Sequence, residues 1–278
     1  MATQDEPAVR SATMAERSVG HALGEYMTQT VAVVAAEVGK LRHDPLELLT
    51  RAVQPVLWLM LFGEVMTQVR GVSPGNLRYL DFLSAGILAQ SVLFVAIFNG
   101  ISVIWERDLG VLQRYLVSPA PRSALVMGKA LSGSVRALAQ AVIVYLLAFG
   151  LSVRIDPNPV KIMGVVVVIA LGAALFSTFS LIIACLVKTR ERFMGIGQVL
   201  TVPIFFASNA IYPLSLMPDW LRAISHVNPL TYEVDALRAL MLAEGASDYG
   251  LLLDFGVLFA TSAILTAIAA RMYARMGY

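Results

Sequence analysis

Six polar side chains interrupt otherwise apolar stretches of this sequence, and they are the first candidates for chemistry. They are Glu64, Asn99, Arg136, Gln140, Gln198 and Asn209. A polar side chain inside hydrocarbon costs free energy, so such residues often mark a substrate or ion path. They also have a structural use, because amides form hydrogen bonds between packed helices and charges near a helix end reach the interface. The sequence leaves both interpretations open for this set.

The residue combinations that would make this chain an enzyme are absent from the sequence. It contains no G-x-x-x-x-G-K-[ST] phosphate loop, and Gly195 and Gly197 lie in an apolar run without the lysine that would meet phosphates. The single cysteine, Cys185, excludes an intrachain disulfide, and the three histidines lack metal-ligand spacing. We therefore predict no catalytic residues, no metal site and no cofactor in this chain.

One charged segment, residues 105 to 119, has the pattern of a short docking helix. Acidic and basic residues crowd its start, and Leu109, Leu112 and Leu116 recur on one helical face before Pro119. An amphipathic helix that carries both signs of charge beside a membrane suits a soluble protein partner. A solvated loop is the alternative interpretation.

The composition indicates that helices in a lipid bilayer position these residues. The chain is 58% hydrophobic and only 14% charged, with a mean hydropathy of +0.72, whereas a soluble domain is about a quarter charged. Apolar runs near the length of about 20 residues that spans a bilayer recur along the sequence. The net charge of +2 gives no basic surface for nucleic acid. We predict an all-α membrane protein without a nucleic-acid partner.

The apolar runs predict six transmembrane helices. They lie at about residues 52–69, 80–104, 137–153, 162–187, 194–214 and 251–271. An even number of spans places both termini on one side, and Lys and Arg on that side are more than twice as numerous as on the other. By the positive-inside rule, we predict a multi-pass protein of the cell membrane, inner or plasma, with both termini in the cytoplasm.

The regions outside these spans are predicted to have separate roles. Residues 1–22 are polar and lack the apolar centre of a signal peptide, so we expect a disordered cytoplasmic tail. Residues 23–44 have apolar positions at steps of three and four, which predicts an amphipathic helix in the cytoplasmic interface or, alternatively, one packed on soluble protein. Residues 45–278 form the transmembrane domain, and its external connection, residues 215–250, is long enough for short helices of its own.

Several short motifs give the sequence a resemblance to a known family. They are Gln54-Pro55, Leu61-Phe62-Gly63, the segment from Glu106 to Pro119 with Gly128-Lys129, and Asn228-Pro229-Leu230-Thr231-Tyr232 followed by Asp235 and Arg238. In this order and spacing the chain resembles the ABC-2 permeases, in particular the daunorubicin-resistance type of drug and lipid exporter subunits. The resemblance covers about residues 38–275.

The resemblance implies a partner that supplies the energy. In that family the first cytoplasmic loop forms a coupling helix that enters a groove on an ABC ATPase, which is present in two copies and holds the ATP and magnesium. Carried over, the docking residues are Glu106, Arg107, Gly110, Leu112 and Leu116. Asp108 replaces a glutamate and Val111 a threonine that are common there, which could change the ATPase that is accepted.

The resemblance also implies a transport path between this chain and a second permease, identical or related. The first, second and fifth spans would form most of its wall, and short external helices, here within residues 217–241, would cap its outer mouth. The predicted path residues are Phe62, Phe94, Phe98, Asn99, Gln198, Phe205 and Phe206. A wall of this kind favours an amphipathic drug or lipid as the substrate.

Three rival functions are compatible with a polytopic membrane protein. The nearest is a polysaccharide or teichoic-acid exporter of the same family. An ion-coupled secondary transporter is less favoured, because paired half-repeats and ionisable groups at the membrane midplane are not visible in the sequence. A membrane enzyme would need converging catalytic groups, which the sequence lacks.

Overall fold

The computed structural model describes residues 45–69, 77–109, 122–187 and 189–273. The predicted tail, the interface helix at 23–44 and residues 110–121 of the predicted docking region lie outside these ranges. The helices of the described part are α1 (Pro45–Leu57), a π-helical turn π1 (Trp58–Gly63), α2 (Glu64–Thr67), α3 (Tyr79–Asn99), α4 (Ile101–Asp108), α5 (Arg122–Gly150), α6 (Pro159–Leu186), α7 (Arg190–Phe206), a 3-10 turn (Leu214–Leu216), α8 (Asp219–Val227), α9 (Pro229–Met241) and α10 (Leu251–Tyr273).

Four helical stretches of the described ranges are long and apolar enough to cross a membrane. They are Tyr79–Trp105, Gly133–Gly150, Pro159–Leu186 and Leu251–Met272, and they coincide with the predicted second, third, fourth and sixth spans. The predicted first span corresponds to the continuous α1, π1 and α2. The predicted fifth span corresponds to α7, which has 17 residues and ends at Phe206 rather than near residue 214. The count of six spans stays a prediction.

The first helix is interrupted by its own sequence. Pro55 lies inside α1 and has no N–H to donate to the carbonyl of Arg51. Three residues later the backbone widens into π1, where one turn contains an additional residue. Beyond π1 the helix resumes, and the hydroxyl of Thr67 donates to the carbonyl of Gly63 at 2.7 Å. The first predicted span is therefore helical but is not a regular α-helix.

The helix α3 forms the centre of the bundle. It packs against α5, α6 and α9 on different sides, and π1 and α7 also contact it. Leu80, Leu83, Leu88 and Ile97 are each fully buried in it. Apolar residues lie on every side of α3, so its sequence is compatible with a helix that is buried on all sides.

A loop network closes the end of the bundle at which α3 begins. Asp81 is fully buried and accepts hydrogen bonds from the side chains of Arg78 and Arg154, each at 3.3 Å. The amide of Ala243 donates to the carbonyl of Arg154 at 3.0 Å, so the chain that follows α9 pairs with the loop before α6. These contacts hold the ends of α3, α5, α6 and α9 together.

The helix α9 is buried, which the sequence did not predict. Every residue from Leu230 to Met241 is buried, in contact with α3, α6 and α10. Its neighbour α8 is amphipathic and leaves Trp220, Ile224 and Val227 exposed. Short helices were predicted for the external connection, and of the two found there α8 lies at the surface, whereas α9 packs inside the bundle.

Candidate functional site

The start of α7 is fixed to the end of α4. The guanidinium of Arg190 lies 3.1 Å from the carboxylate of Asp108 and 4.1 Å above the centre of the Trp105 ring. Thr189 caps α7 by accepting a hydrogen bond from the amide of Arg192. We call the contact of Arg190 with Trp105 and Asp108 the Arg190 clamp, and it attaches α7 to the start of the segment predicted to dock an ATPase.

The predicted docking residues are located only in part. Glu106 and Arg107 belong to α4, but their side chains lie outside the described part of the structure, as do Gly110, Leu112 and Leu116. Their docking role stays a prediction. Sequence reasoning missed Arg190 as a partner of this segment, although its place on the same predicted side of the membrane was an available signal.

An aromatic cluster joins the first helix to α7. The ring of Trp58 lies 5.2 Å from that of Phe62 and 5.9 Å from that of Phe205, measured between centroids. Phe205 contacts Phe206 at 5.3 Å, and Phe206 is half exposed. The structure thus brings together three predicted path residues, Phe62, Phe205 and Phe206, around Trp58. Trp58 was not among the predicted path residues, and its position three residues after Pro55 in the first span was the only signal.

Phe94 and Phe98 line a separate feature of the bundle. Their ring centroids are 6.2 Å apart, and both residues border a cavity of about 400 Å³. We call it the α1–α3–α5 cavity, after the helices that supply most of its lining. Its lining includes Arg51, Gln54, Gln90, Phe94, Phe98 and Gln140.

Three of the four candidate amides have different surroundings. Gln140 is buried, and neither its Nε2 nor its Oε1 has a hydrogen-bond partner among the described residues. Asn99 is also buried, and a Cβ atom on Gly133 would lie 3.1 Å from its Nδ2, so Asn99 packs closely against α5. Gln198 lies on the exposed surface of α7. The seven predicted path residues therefore do not form one continuous wall within this chain.

A buried arginine anchors α9, which lies outside the four candidate spans. The guanidinium of Arg238 lies 3.8 Å above the Phe82 ring and donates to the carbonyl of Asn209 at 2.8 Å. Asp235 lies one helical turn earlier, with 3.9 Å between the charged groups. Burial lowers the pKa of Arg238 to about 10, so the side chain keeps its charge at neutral pH. Arg238 thus holds α9 against α3 and against the chain that follows α7.

Glu233 is a second buried ionisable residue of α9, and its carboxyl group has poorer surroundings than the guanidinium of Arg238. It is fully buried, and neither carboxyl oxygen has a hydrogen-bond partner in the described part of the chain. A Cβ atom on Gly172 of α6 would overlap its carboxyl carbon, so a larger residue at position 172 would require the end of the Glu233 side chain to move. Burial raises the pKa of Glu233 well above its ordinary value, which favours the neutral acid in the folded chain.

The described features are a charged clamp, an aromatic cluster, an amphipathic cavity and a buried arginine. Within the described residues, no group of three or more His, Cys, Asp or Glu is arranged to hold a metal ion.

Comparisons with known proteins agree with this architecture. A family model described as ABC-2 type transporter matches residues 28–242. The chain is 31% identical over 203 residues to ycf38 of Cyanophora paradoxa, named as a transport permease, with 72% of this chain and 70% of that relative covered. It is 24% identical over 235 residues to the daunorubicin resistance ABC transporter permease protein DrrB1 of Streptomyces coeruleorubidus (84% and 81%), and 26% identical over 214 residues to the inner membrane transport permease YadH of Escherichia coli K12 (74% and 80%).

Proposed function

Because the chain belongs to the ABC-2 type transporter family, we propose that it is an exporter subunit that moves an amphipathic drug or lipid out of the cytoplasm or inner leaflet. ABC-2 permeases work with ATPase subunits in ABC transporters. The proposed assembly contains two ATPase subunits, which hold ATP and magnesium, and two permeases, of which this chain is one. The ATPases would drive transport without any chemical change to the substrate.

The Arg190 clamp is the observation that carries the proposed coupling. An ATPase that moves the segment after Asp108 would pull on Arg190 at the start of α7. Arg190 and Phe205 are separated along one helix by roughly 22 Å, at 1.5 Å per residue. A displacement of the start of α7 would be carried along the helix, past Pro203, to Phe205, which contacts Trp58 of the first helix. Closure of the ATPases would thereby change the contact between π1 and α7.

An amphipathic substrate is supported by the side chains at both candidate path features. The aromatic cluster offers Trp58, Phe62 and Phe205, and the α1–α3–α5 cavity combines Phe94 and Phe98 with amide side chains. The relative DrrB1 is named for daunorubicin resistance. Aromatic and apolar surfaces with a few polar groups are typical of sites for drug-sized ligands.

Reconstitution tests the proposed function. The affinity-tagged chain is purified from its native membrane, the ATPase that accompanies it is identified, and both are placed in sealed vesicles. ATP-dependent movement of a fluorescent amphiphile is expected, with no ATP hydrolysis by the chain alone. Transport that an ion gradient drives without ATP, or ATP turnover by the chain without another polypeptide, would contradict the proposal.

A further inference from the structure

Three helices present one face each to the α1–α3–α5 cavity. Arg51 and Gln54 are three residues apart on α1, and Gln90, Phe94 and Phe98 are spaced by four on α3, so each set shares one side of its helix. Gln140 of α5 completes this set. The cavity lies toward the end of the bundle that carries the Arg190 clamp, because α3 runs from Asp81 at the opposite end to Asn99 beside α4.

The polar side of the cavity can donate hydrogen bonds to a ligand, through Nε2 of Gln140 and the guanidinium of Arg51. The side chain of Gln140 is 1% exposed, and both of its amide atoms lack partners in the described structure, although they could meet a bound molecule. Among the described lining residues none is acidic, and Arg51 is the one with a permanent charge. The guanidinium group matches the geometry of carboxylate and phosphate groups.

The opposite side of the cavity is apolar. The rings of Phe94 and Phe98 are half-buried and in contact with each other. The volume of about 400 Å³ lies within the range of roughly 300–1,000 Å³ that holds drug-sized molecules. It is suited to a headgroup with a short apolar part or to a compact ring system.

We propose that this cavity binds an amphipathic anion. Arg51 and Gln140 bind a carboxylate or phosphate headgroup, Gln54 and Gln90 border that headgroup, and Phe94 and Phe98 contact the apolar part of the ligand. The headgroup belongs either to a membrane phospholipid or to a single-chain amphiphile, since both carry the same chemistry. The identification of this ligand as the transported substrate rests on the proposed function, whereas the binding itself does not depend on ATP.

Equilibrium binding to the full chain in phosphatidylcholine nanodiscs tests the proposal. The probe is a fatty acid that carries a dansyl group, used at mildly alkaline pH where its carboxyl group is ionised, and its uncharged methyl ester is the matched probe. Empty nanodiscs give the background of partition into lipid. We expect saturable binding of the acid that is at least about tenfold tighter than that of the ester. Equal binding of the two probes would overturn the proposal.

Two substitutions test whether Arg51 and Gln140 contact the headgroup. Arg51→Gln and Gln140→Leu should each weaken binding of the acid by about tenfold or more. The controls Arg271→Gln and Gln68→Leu change exposed residues away from the cavity and should leave binding unchanged. Unaltered binding by both cavity variants would overturn the proposal.

Thermal stability separates a binding role from a structural one. Gln140→Leu removes two buried polar atoms without partners, so its unfolding temperature should equal or exceed that of the wild type. A loss of binding that is matched by a loss of stability in both cavity variants would assign these residues to packing and overturn the proposal.

Phosphatidylglycerol added to the nanodiscs distinguishes the two sources of the headgroup. Displacement of the probe supports a phospholipid occupant, and retention of the probe supports a single-chain amphiphile. Because neither measurement uses ATP, failure of ATP-driven transport in the vesicle experiment would leave this result standing. Conversely, failure to bind the acid would leave the proposed exporter function intact.

Discussion

The guanidinium of Arg190 lies 3.1 Å from the carboxylate of Asp108, and this ion pair joins the last residue of α4 to the first residue of α7. Both side chains are more than a third exposed, so the pair contributes only about 0–1 kcal/mol to stability. Its position is more informative than its strength, because it connects the predicted docking region to a helix that reaches the aromatic cluster.

Charge reversal at this pair tests the coupling. Arg190→Asp and Asp108→Arg should each reduce ATP-driven transport several-fold while membrane abundance stays close to that of the wild type, since a half-exposed pair adds little stability. The double variant restores opposite charges and should recover part of the transport. Transport assays with immunoblots of the membrane fraction measure both effects. Wild-type transport by both single variants would show that the pair transmits nothing.

The docking segment can be tested by three substitutions in the predicted helix. Glu106→Lys and Leu112→Asp should abolish co-purification of the ATPase and transport, because each places an unfavourable charge in the predicted groove at a cost of several kcal/mol. Gln113→Ala on the opposite face is the matched control and should be nearly silent. Equal ATPase recovery and transport in all three variants would exclude this segment as the docking site.

Cysteine labelling tests the topology. In a chain in which Cys185 is replaced by alanine, a cysteine at Ser118 should resist an impermeant thiol reagent in intact cells and react after permeabilisation. A cysteine at Ser215, an exposed residue between α7 and α8, should react in intact cells. The opposite labelling pattern would reverse the predicted orientation.

Asn228 should contribute more to stability than an ordinary helix cap. Its Oδ1 accepts from the amide of Leu230 at 3.0 Å, and its Nδ2 donates to the carbonyls of Ile204 and Ala207 at the end of α7. Asn228→Ala should cost about 1 kcal/mol for the cap and about 1 kcal/mol for each lost carbonyl contact.

Two matched variants separate these contributions in thermal unfolding measurements. Asn158→Ala removes a similar cap before α6, where the hydrogen bond is exposed, and should cost about 1 kcal/mol or less. Asn228→Ser keeps a capping acceptor and loses the two donated bonds, so it should fall between wild type and Asn228→Ala. Equal losses for Asn228→Ala and Asn158→Ala would contradict the role of Asn228 in holding α7.

Glu233 should make the protein less stable as the pH rises. Its pKa is raised in the folded chain by burial, whereas an exposed glutamate titrates near about 4.3. At a pH between the pKa of Glu233 in the unfolded chain and its pKa in the folded chain, the folded state binds more protons. The free energy of unfolding is therefore highest below the unfolded pKa and falls as the pH rises through the folded pKa.

Glu233→Gln removes this ionisation and should be more stable than the wild type at neutral and alkaline pH, with a smaller advantage in acid. Unfolding temperatures across the acid to alkaline range in detergent measure the effect. Glu64→Gln, which changes an exposed glutamate, is the control and should follow the wild-type curve. A parallel decline of wild type and Glu233→Gln with pH would exclude Glu233 as its source.

The sequence by itself determined the fold class and the family. Long apolar runs need helices in lipid, because every backbone N–H and C=O must be paired within the segment. The runs therefore predicted the four long spans, and the motif at Asn228-Pro229 with Asp235 and Arg238 carried the family resemblance that the comparisons then showed. The interruption of the first span at π1 was not predicted, although Pro55 lies three residues before it.

Only the tertiary structure decided which residues meet. Pairing of Arg190 with Asp108 joins residues 82 positions apart, and burial of α9 depends on three other helices, so neither follows from local periodicity. The apolar spans are compatible with many arrangements, because lipid and protein interiors satisfy an apolar side chain almost equally well. The choice among arrangements is made by close packing at small residues and by polar groups such as Arg238, which must find partners inside the bundle.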